Sequence, residues 1–244
     1  MDRIEHLNRV ISNFKNDENV VRQQILDDKK NKRFFIPRLQ GSNAVNALYV
    51  VYIQNDIEYA KQCYSNYAEI SIYMSEKHER RVMDTGIYDI SYALLSDNVN
   101  LIRRFSRLKN PINAINSFGY QLPNAMQNIL LNNDEKLLDN IRDITRFVKL
   151  PRIAAYAPTV EVFNGFANHN ADEIKAGLEA LLKTHRKRNN DPLISRFFSI
   201  DTAGLCKLAW IKGFEINLSN GLVPQSLMPC KPLDRYVTYD FLED

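Results

Sequence analysis

The chain has 244 residues, enough for one large domain or two small ones. Hydrophobic residues make up 45% and charged residues 25%, the balance of a globular protein that buries a real core, and only 8 Gly and 9 Pro disfavour a loop-rich or all-β fold. A net charge of +3 is too weak to argue for nucleic acid by itself.

Three scattered cysteines, Cys63, Cys206 and Cys230, form no C-x-x-C pair and read as reduced thiols of a cytosolic protein, with core packing as their plain role. The N-terminus Met1-Asp2-Arg3-Ile4-Glu5-His6 lacks the apolar core of a secretory signal. No apolar run approaches the roughly 18 residues needed to span a bilayer. The expectation is a cytoplasmic chain without a membrane partner.

Taken in order, residues 1–41 read as an N-terminal helical segment. Ile4, Leu7, Val10, Ile11 and Phe14 form one stripe, and Lys29–Arg33 and Pro37 break the pattern. A loop through Gly41 is expected, with Ser42 as the cap of the next helix. Residues 42–188 then repeat one punctuation. Asn55-Asp56-Ile57-Glu58, Asn132-Asn133-Asp134-Glu135 and Asn170-Ala171-Asp172-Glu173 all read Asn-x-x-Glu, and Asp97 marks a similar junction without the glutamate. Such a side chain accepts from the free N–H groups of a new helix, while a glutamate three residues on can reach back to the cap. The steps between junctions are 42, 35 and 38 residues, the length of a two-helix hairpin.

The pattern therefore predicts four hairpins. The first pairs a helix carrying Ala44, Val45, Leu48, Val51 and Tyr52 with one carrying Ile57, Ala60, Tyr64, Tyr67, Ser71 and Met74. The others pair 87–95 with 101–108, 122–131 with 137–148, and 160–167 with 172–185, with Pro111 and Pro151 as stops. Residues 189–244 hold a helix near 201–212, ended by Gly213 in a left-handed conformation. A short extended piece at 214–218 comes next, then an irregular tail through Pro224, Pro229 and Pro232. Leu208, Trp210 and Phe214 are expected to bury. The fold class is all-α, a single domain of consecutive antiparallel hairpins in a helical-repeat-like array, with a C-terminal capping segment.

Chemistry is sparse. His6, His78, His169 and His185 have no metal-ligand spacing, and His185 lies on an apolar stripe, where a structural role is the better reading. No nucleophile elbow, phosphate loop or dinucleotide fingerprint occurs. No catalytic residue, cofactor or metal site is expected, and no enzyme. Basic clusters at 77–81, 103–109, 142–149 and 183–188 each sit near a helix C-terminus, where cations complement the dipole. An aligned basic edge that holds nucleic acid or an acidic protein is the competing reading. Eight of the twelve tyrosines lie between Tyr49 and Tyr92. Tyr64 and Tyr67 follow the apolar stripe, whereas Tyr59 and Tyr73 fall off it and read as interface anchors. The expected partner contacts are Tyr59, Tyr73, Asp84, Tyr88, Asp89, Arg103 and Arg107. Asp84, Asp89 and Asp97 form a candidate acidic patch.

One stretch carries a resemblance. Lys183-Thr184-His185-Arg186, Asp191-Pro192-Leu193, the run from Phe198 to Ile216 with its L-A-x-x-x-G helix end, and Leu222–Met228 with its V-P-x-x-L close resemble the immunity 49 family of bacterial polymorphic toxin systems. It covers about the last sixty to seventy residues; upstream, only the helical character matches. The resemblance implies an immunity protein that binds the C-terminal domain of a cognate secreted toxin and occludes or distorts its active site. With no secretory signal, it also implies a toxin that acts in the cytosol. The alternative is a helical-repeat adaptor or RNA-binding protein. Oligomeric state is not legible.

Overall fold

A computed structural model of the chain describes residues 3–109, 112–189, 191 and 194–242. Among them are ten α-helices and no strand: α1 (Arg3–Asp27), α2 (Lys32–Tyr49), α3 (Ile57–His78), α4 (Tyr88–Leu95), α5 (Val99–Arg107), α6 (Phe118–Leu130), α7 (Asp134–Phe147), α8 (Pro158–Ala167), α9 (Ala171–Arg188) and α10 (Ile200–Ile211). Sequential helices pack as the pairs α2/α3, α4/α5, α6/α7 and α8/α9, and α1 lies on α2. The expected all-α hairpin architecture is present. Pro111 lies outside the described residues.

The hairpin turns share one construction. Asn55, Asp97, Asn132 and His169 each take a left-handed φ of 51° to 57°. The next residue is the helix cap in every case. Asp56 accepts from the Tyr59 N–H, Asn98 from Leu101, Asn133 from Lys136, and Asn170 from both Asp172 and Glu173. The cap therefore stands one residue later than expected at three junctions, and as expected only at Asn170. Asn55, Asp97 and Asn132 instead end the preceding helix, a conformation that Asn and Asp tolerate better than most residues. The reciprocal glutamate bond of a capping box is not made. The Asn133 and Asn170 N–H groups already donate to the Asn128 and Gly165 carbonyls of the helix just finished, at 2.8 Å each. One residue thus closes a Schellman turn with its N–H and opens the next helix with its side chain.

Two expectations fail in the N-terminal part. No loop runs through Gly41, and Ser42 is no cap: α2 continues from Lys32 to Tyr49 with Pro37 inside it. The i−4 carbonyl that Pro37 leaves unbonded belongs to exposed Arg33, while Ile36, Leu39 and Gln40 bury between neighbouring helices. Tertiary burial outweighs the local breaker. The helix then widens into a π segment, Val50–Gln54, before the turn at Asn55.

α10 lies deeper than a cap. Every residue from Ile200 to Ala209 is buried, so the helix is enclosed on all sides. It contacts α4, α9 and α6. A Cβ on Gly204 would stand 1.9 Å from Ser91 Oγ, so only glycine admits α4 this closely. Gly213, at φ +87°, ends α10 as expected, with the Phe214 N–H returning to the Ala209 carbonyl at 2.9 Å. Leu208 is fully buried, whereas Trp210 and Phe214 are half-buried. The Trp210 indole N–H donates to the Ile216 carbonyl at 2.9 Å.

Lys207 sits among these apolar neighbours and is fully buried. Its Nζ is 2.7 Å from Asp97 Oδ1, and Lys61 Nζ is 2.8 Å from Asp97 Oδ2. Lys207 also donates to the Leu227, Met228 and Pro229 carbonyls at 2.9–3.0 Å, and Lys61 to the Lys231 carbonyl at 2.8 Å. Burial pulls the Lys207 pKa down, and Asp97 opposes that shift. One carboxylate and two ammonium groups thus join α3, the α4–α5 turn, α10 and the tail.

These turns and this ion cluster carry two stability outcomes. Asn133→Ala should cost about 0.5–2 kcal/mol by loss of the cap, while Asn132→Gly should be neutral or stabilising because glycine prefers the left-handed position. Asp97→Asn keeps a residue suited to that backbone but leaves two buried cations without a counter-charge. It should cost about 3–5 kcal/mol. Urea denaturation of the three variants measures both; an Asp97→Asn loss below about 1 kcal/mol contradicts the reading.

Candidate interaction surface

The interior contains a serine, a histidine and an aspartate in contact, and their order decides what they do. Ser199 Oγ lies 2.9 Å from His185 Nδ1 and 2.8 Å from Asp201 Oδ1. His185 Nε2 lies 2.8 Å from the Ser195 carbonyl, so Nε2 carries the hydrogen and Nδ1 accepts; Asn189 Nδ2 stands 2.9 Å from the same Nδ1. In a nucleophilic triad the carboxylate holds the far ring nitrogen and the base faces the serine. Here the carboxylate holds the serine itself, and its other oxygen pairs with Arg188. The serine, histidine, aspartate and arginine side chains are all buried. The arrangement locks α9 to the start of α10. The thiols are equally unsuited to attack: burial pushes Cys63 and Cys206 up to about 12. Among the described residues, no group of three or more His, Cys, Asp or Glu is arranged to hold a metal.

The surface has more to offer. Asp56 fixes the first turn of α3 by accepting from the Tyr59 N–H at 2.9 Å, and the Tyr59 ring is 49% exposed. One turn on, Gln62 grips the tail from both sides. Its Nε2 donates to the Val237 carbonyl at 2.8 Å and its Oε1 accepts from the Val237 N–H at 2.9 Å. Beyond this, Asn43 donates to the Tyr239 hydroxyl at 2.9 Å, the Arg22 guanidinium lies 4.6 Å over the Tyr239 ring, and Lys32 Nζ donates to the Phe241 carbonyl at 3.0 Å. The tail thereby becomes a wall beside α1 and α3. Between them opens a concavity of about 760 Å³, lined by Leu26, Lys29, Tyr59, Val237 and Phe241 among others. A second, of about 690 Å³, lies on the other side of Tyr59 and Gln62, against Pro229, Lys231 and Pro232. Tyr59 and Gln62 form the ridge between the two.

The remaining contact candidates are scattered. Tyr73 is buried, edge-on to His78 at 5.4 Å, so its position off the stripe does not bring it to the surface. Asp89 is buried and accepts from Ser71 Oγ at 2.5 Å and Thr85 Oγ1 at 2.8 Å. Half-buried Asp84 accepts from the Ala114 N–H at 3.0 Å and pairs with Arg81. Tyr88 is half-buried and donates to Asn189 Oδ1 at 3.2 Å. With Asp97 in the ion cluster, the expected acidic patch does not exist as a surface. All three carboxylates hold the fold.

Arg103 and Arg107 are exposed on α5 beside a concavity of about 410 Å³. Between them Arg104 pairs with Glu69 and Glu76 of α3. Elsewhere members of the basic clusters are paired: Arg142 with Asp139 and Arg146 with Asp143 on the same helix, and Arg188 with Asp201 across to α10. Sequence reading overlooked Lys61 and Lys207. For Lys207 a signal was present, since a lysine inside Leu205-Cys206-Lys207-Leu208-Ala209 on an all-apolar helix needs a buried counter-charge.

Burial holds the His185 pKa below its usual value, and His78 shifts the same way through burial and nearby Arg33 and Lys32. Below about pH 6.5 the unfolded chain takes up protons that the folded chain refuses. Stability should therefore be full above that pH and decline as pH falls toward the lowered folded values. Melting temperature should drop between about pH 7 and pH 5, with a shallower drop in His185→Gln; equal slopes in the two proteins count against this assignment.

No curated protein matches the chain, and no solved structure matches it. A family model, that of immunity protein 49, matches residues 51–227, from the π segment through α10 to the first part of the tail. The match extends well upstream of the C-terminal stretch that carries the resemblance in sequence. It spans the four left-handed turns, the ion cluster and the Tyr59 ridge, and it covers well over half of the chain: the protein belongs to the immunity protein 49 family.

Proposed function

We propose that this chain protects a bacterium by binding one cognate toxin domain in the cytosol and blocking its active site, with no catalytic turnover of its own. Membership of the immunity protein 49 family carries the reading. The interior supports it: the Ser199–His185–Asp201 grouping is enclosed and wired for structure, and the two buried thiols are held protonated. No described helix is long and apolar enough to cross a membrane, which is compatible with action in the cytosol.

Neutralisation by occlusion needs a rigid face of standard size, about 800 Å² on each partner, with a few aromatic or arginine anchors. Of the seven contact candidates, Tyr59, Arg103 and Arg107 are exposed. They mark two separate faces. Arg104, between the arginines, is tied to Glu69 and Glu76, so these lie beside the C-terminal half of α3, while Tyr59 lies in its first turn. The step of seventeen positions along α3 from Tyr59 to Glu76 spans about 25 Å.

Co-expression with the C-terminal domain encoded by the neighbouring gene tests the proposal. Cells should survive only when this chain is present, the two proteins should co-elute in a 1:1 unit, and toxin activity should vanish at equimolar inhibitor. Equal killing with and without the chain, together with no complex on size-exclusion chromatography, overturns it.

A further inference from the structure

We infer that the exposed basic face at the end of α5, built on Arg103, Arg107 and Lys109, is the toxin-docking face, and that it takes an acidic segment of the toxin. This rests on the immunity reading and selects one of the two faces left open by it.

The charge balance at this face is one-sided. Arg103, Arg104, Arg107 and Lys109 line the concavity of about 410 Å³ together with one acid, Glu76. Arg104 holds that acid and Glu69 of α3 as well, so both carboxylates are already engaged. Arg103, Arg107 and Lys109 are exposed, and their side chains have no ion pair and no hydrogen bond among the described residues. The helix dipole favours cations here, but none of these side chains bonds the carbonyls where α5 ends. Gln127 of α6 does so instead: its Nε2 donates to the Phe105 carbonyl at 2.7 Å and to the Leu108 carbonyl at 3.0 Å. Arg103 and Arg107 also stand four residues apart, a like-charge spacing that costs a helix stability. The free cations therefore do nothing for the fold that these contacts reveal, and they face solvent.

The helix that carries them is firmly held. Leu101 and Phe105 are buried beneath it, Arg104 ties it to α3, and Gln127 ties its end to α6. An occupant thus meets a backbone that needs little ordering. Guanidinium forks match carboxylates in geometry as well as in sign. A toxin segment with two or more Asp or Glu side chains complements this face; a basic one does not. Nucleic acid fits less well, because its backbone is held by a stripe of phosphate contacts. The other basic clusters do not extend such a stripe, since Arg142, Arg146 and Arg188 are paired and the net charge is only +3. The whole face lies inside the stretch matched by the family, whereas the concavity beside Tyr59 takes its walls from 22–32 and 237–241, outside it.

The probe is the isolated C-terminal domain encoded beside this gene, titrated calorimetrically against the full chain at low and at moderate salt. Parent affinity should fall as salt rises. Arg103→Glu with Arg107→Glu should weaken binding by about a hundredfold or more at low salt and remove most of that salt dependence. Arg103→Lys with Arg107→Lys keeps the charge but loses the forks. It should weaken binding by about tenfold with the salt dependence retained. Both side chains are exposed and unpaired, so thermal melts of all these variants should match the parent. Tyr59→Ala, on the other face, should bind within about threefold of the parent. Parent-like binding by the charge-reversed variant overturns the inference, and a loss in Tyr59→Ala then moves docking to the other end of α3. A charge-reversed variant that binds the toxin as the parent does, but no longer retains a single-stranded oligonucleotide that the parent holds, also overturns it and makes the face a nucleic-acid site. A parent protein that fails to bind the toxin at all removes the immunity reading itself, an outcome distinct from both.

Discussion

The structure depends on a single buried carboxylate. Asp97 occupies a left-handed turn between α4 and α5, fully inside the protein, with an ammonium group on each oxygen. Enclosing three ions is expensive, and attraction offsets desolvation only when the remaining donors are also satisfied. Here four tail carbonyls accept from the two lysines, and the Lys231 N–H adds a bond to Asp97 at 3.3 Å. An apolar substitute of the same volume would pack α10 as well, but it would not orient the tail. The cluster is therefore best understood as a register device. It places α10 at one depth, and it fixes the path of an irregular segment that has no ladder of its own.

That fixed path shapes the outer surface. From Lys231 the tail passes the Tyr236 hydroxyl, which donates to the Ser96 carbonyl at 2.7 Å beside the same turn. It then reaches Gln62 and Val237, and ends against α1 and α2 through Tyr239 and Phe241. A second, smaller apolar cluster forms there, with Val21, Ile25, Ile36, Leu39, Tyr73 and Tyr239. The groove wall beside Tyr59 is the solvent side of this cluster. Polar bonds deep in the fold thus determine the shape of a surface some residues away.

Legibility in the sequence tracks the range of the interactions involved. Helices and hairpins rest on the 3.6-residue period and on short-range turn chemistry, so all four hairpins were legible, as was the glycine that ends α10. The turns were legible only to within a residue. Asn132 and Asn133 are chemically equivalent, and the choice of which one caps the helix rests on the Schellman bonds of the preceding helix. Pro37 misled because its local penalty is real, while the burial of Ile36 and Leu39 that overrides it is tertiary. Exposure was the hardest property to infer. Tyr59 and Tyr73 both fall off the apolar stripe of α3, yet one faces water and the other is covered by neighbouring elements.

The acidic residues carry the same lesson for function. Asp84, Asp89 and Asp97 are close in sequence and read as a patch. In the fold one binds a backbone N–H and an arginine, one accepts from two hydroxyls, and one holds two lysines. A charge that completes an internal network is lost to a partner. The concavity beside Tyr59 is assembled from residues 22–32, 59–66 and 237–241, so composition alone cannot locate it. Only the tail's path, set by Asp97 and its lysines, brings those three stretches together.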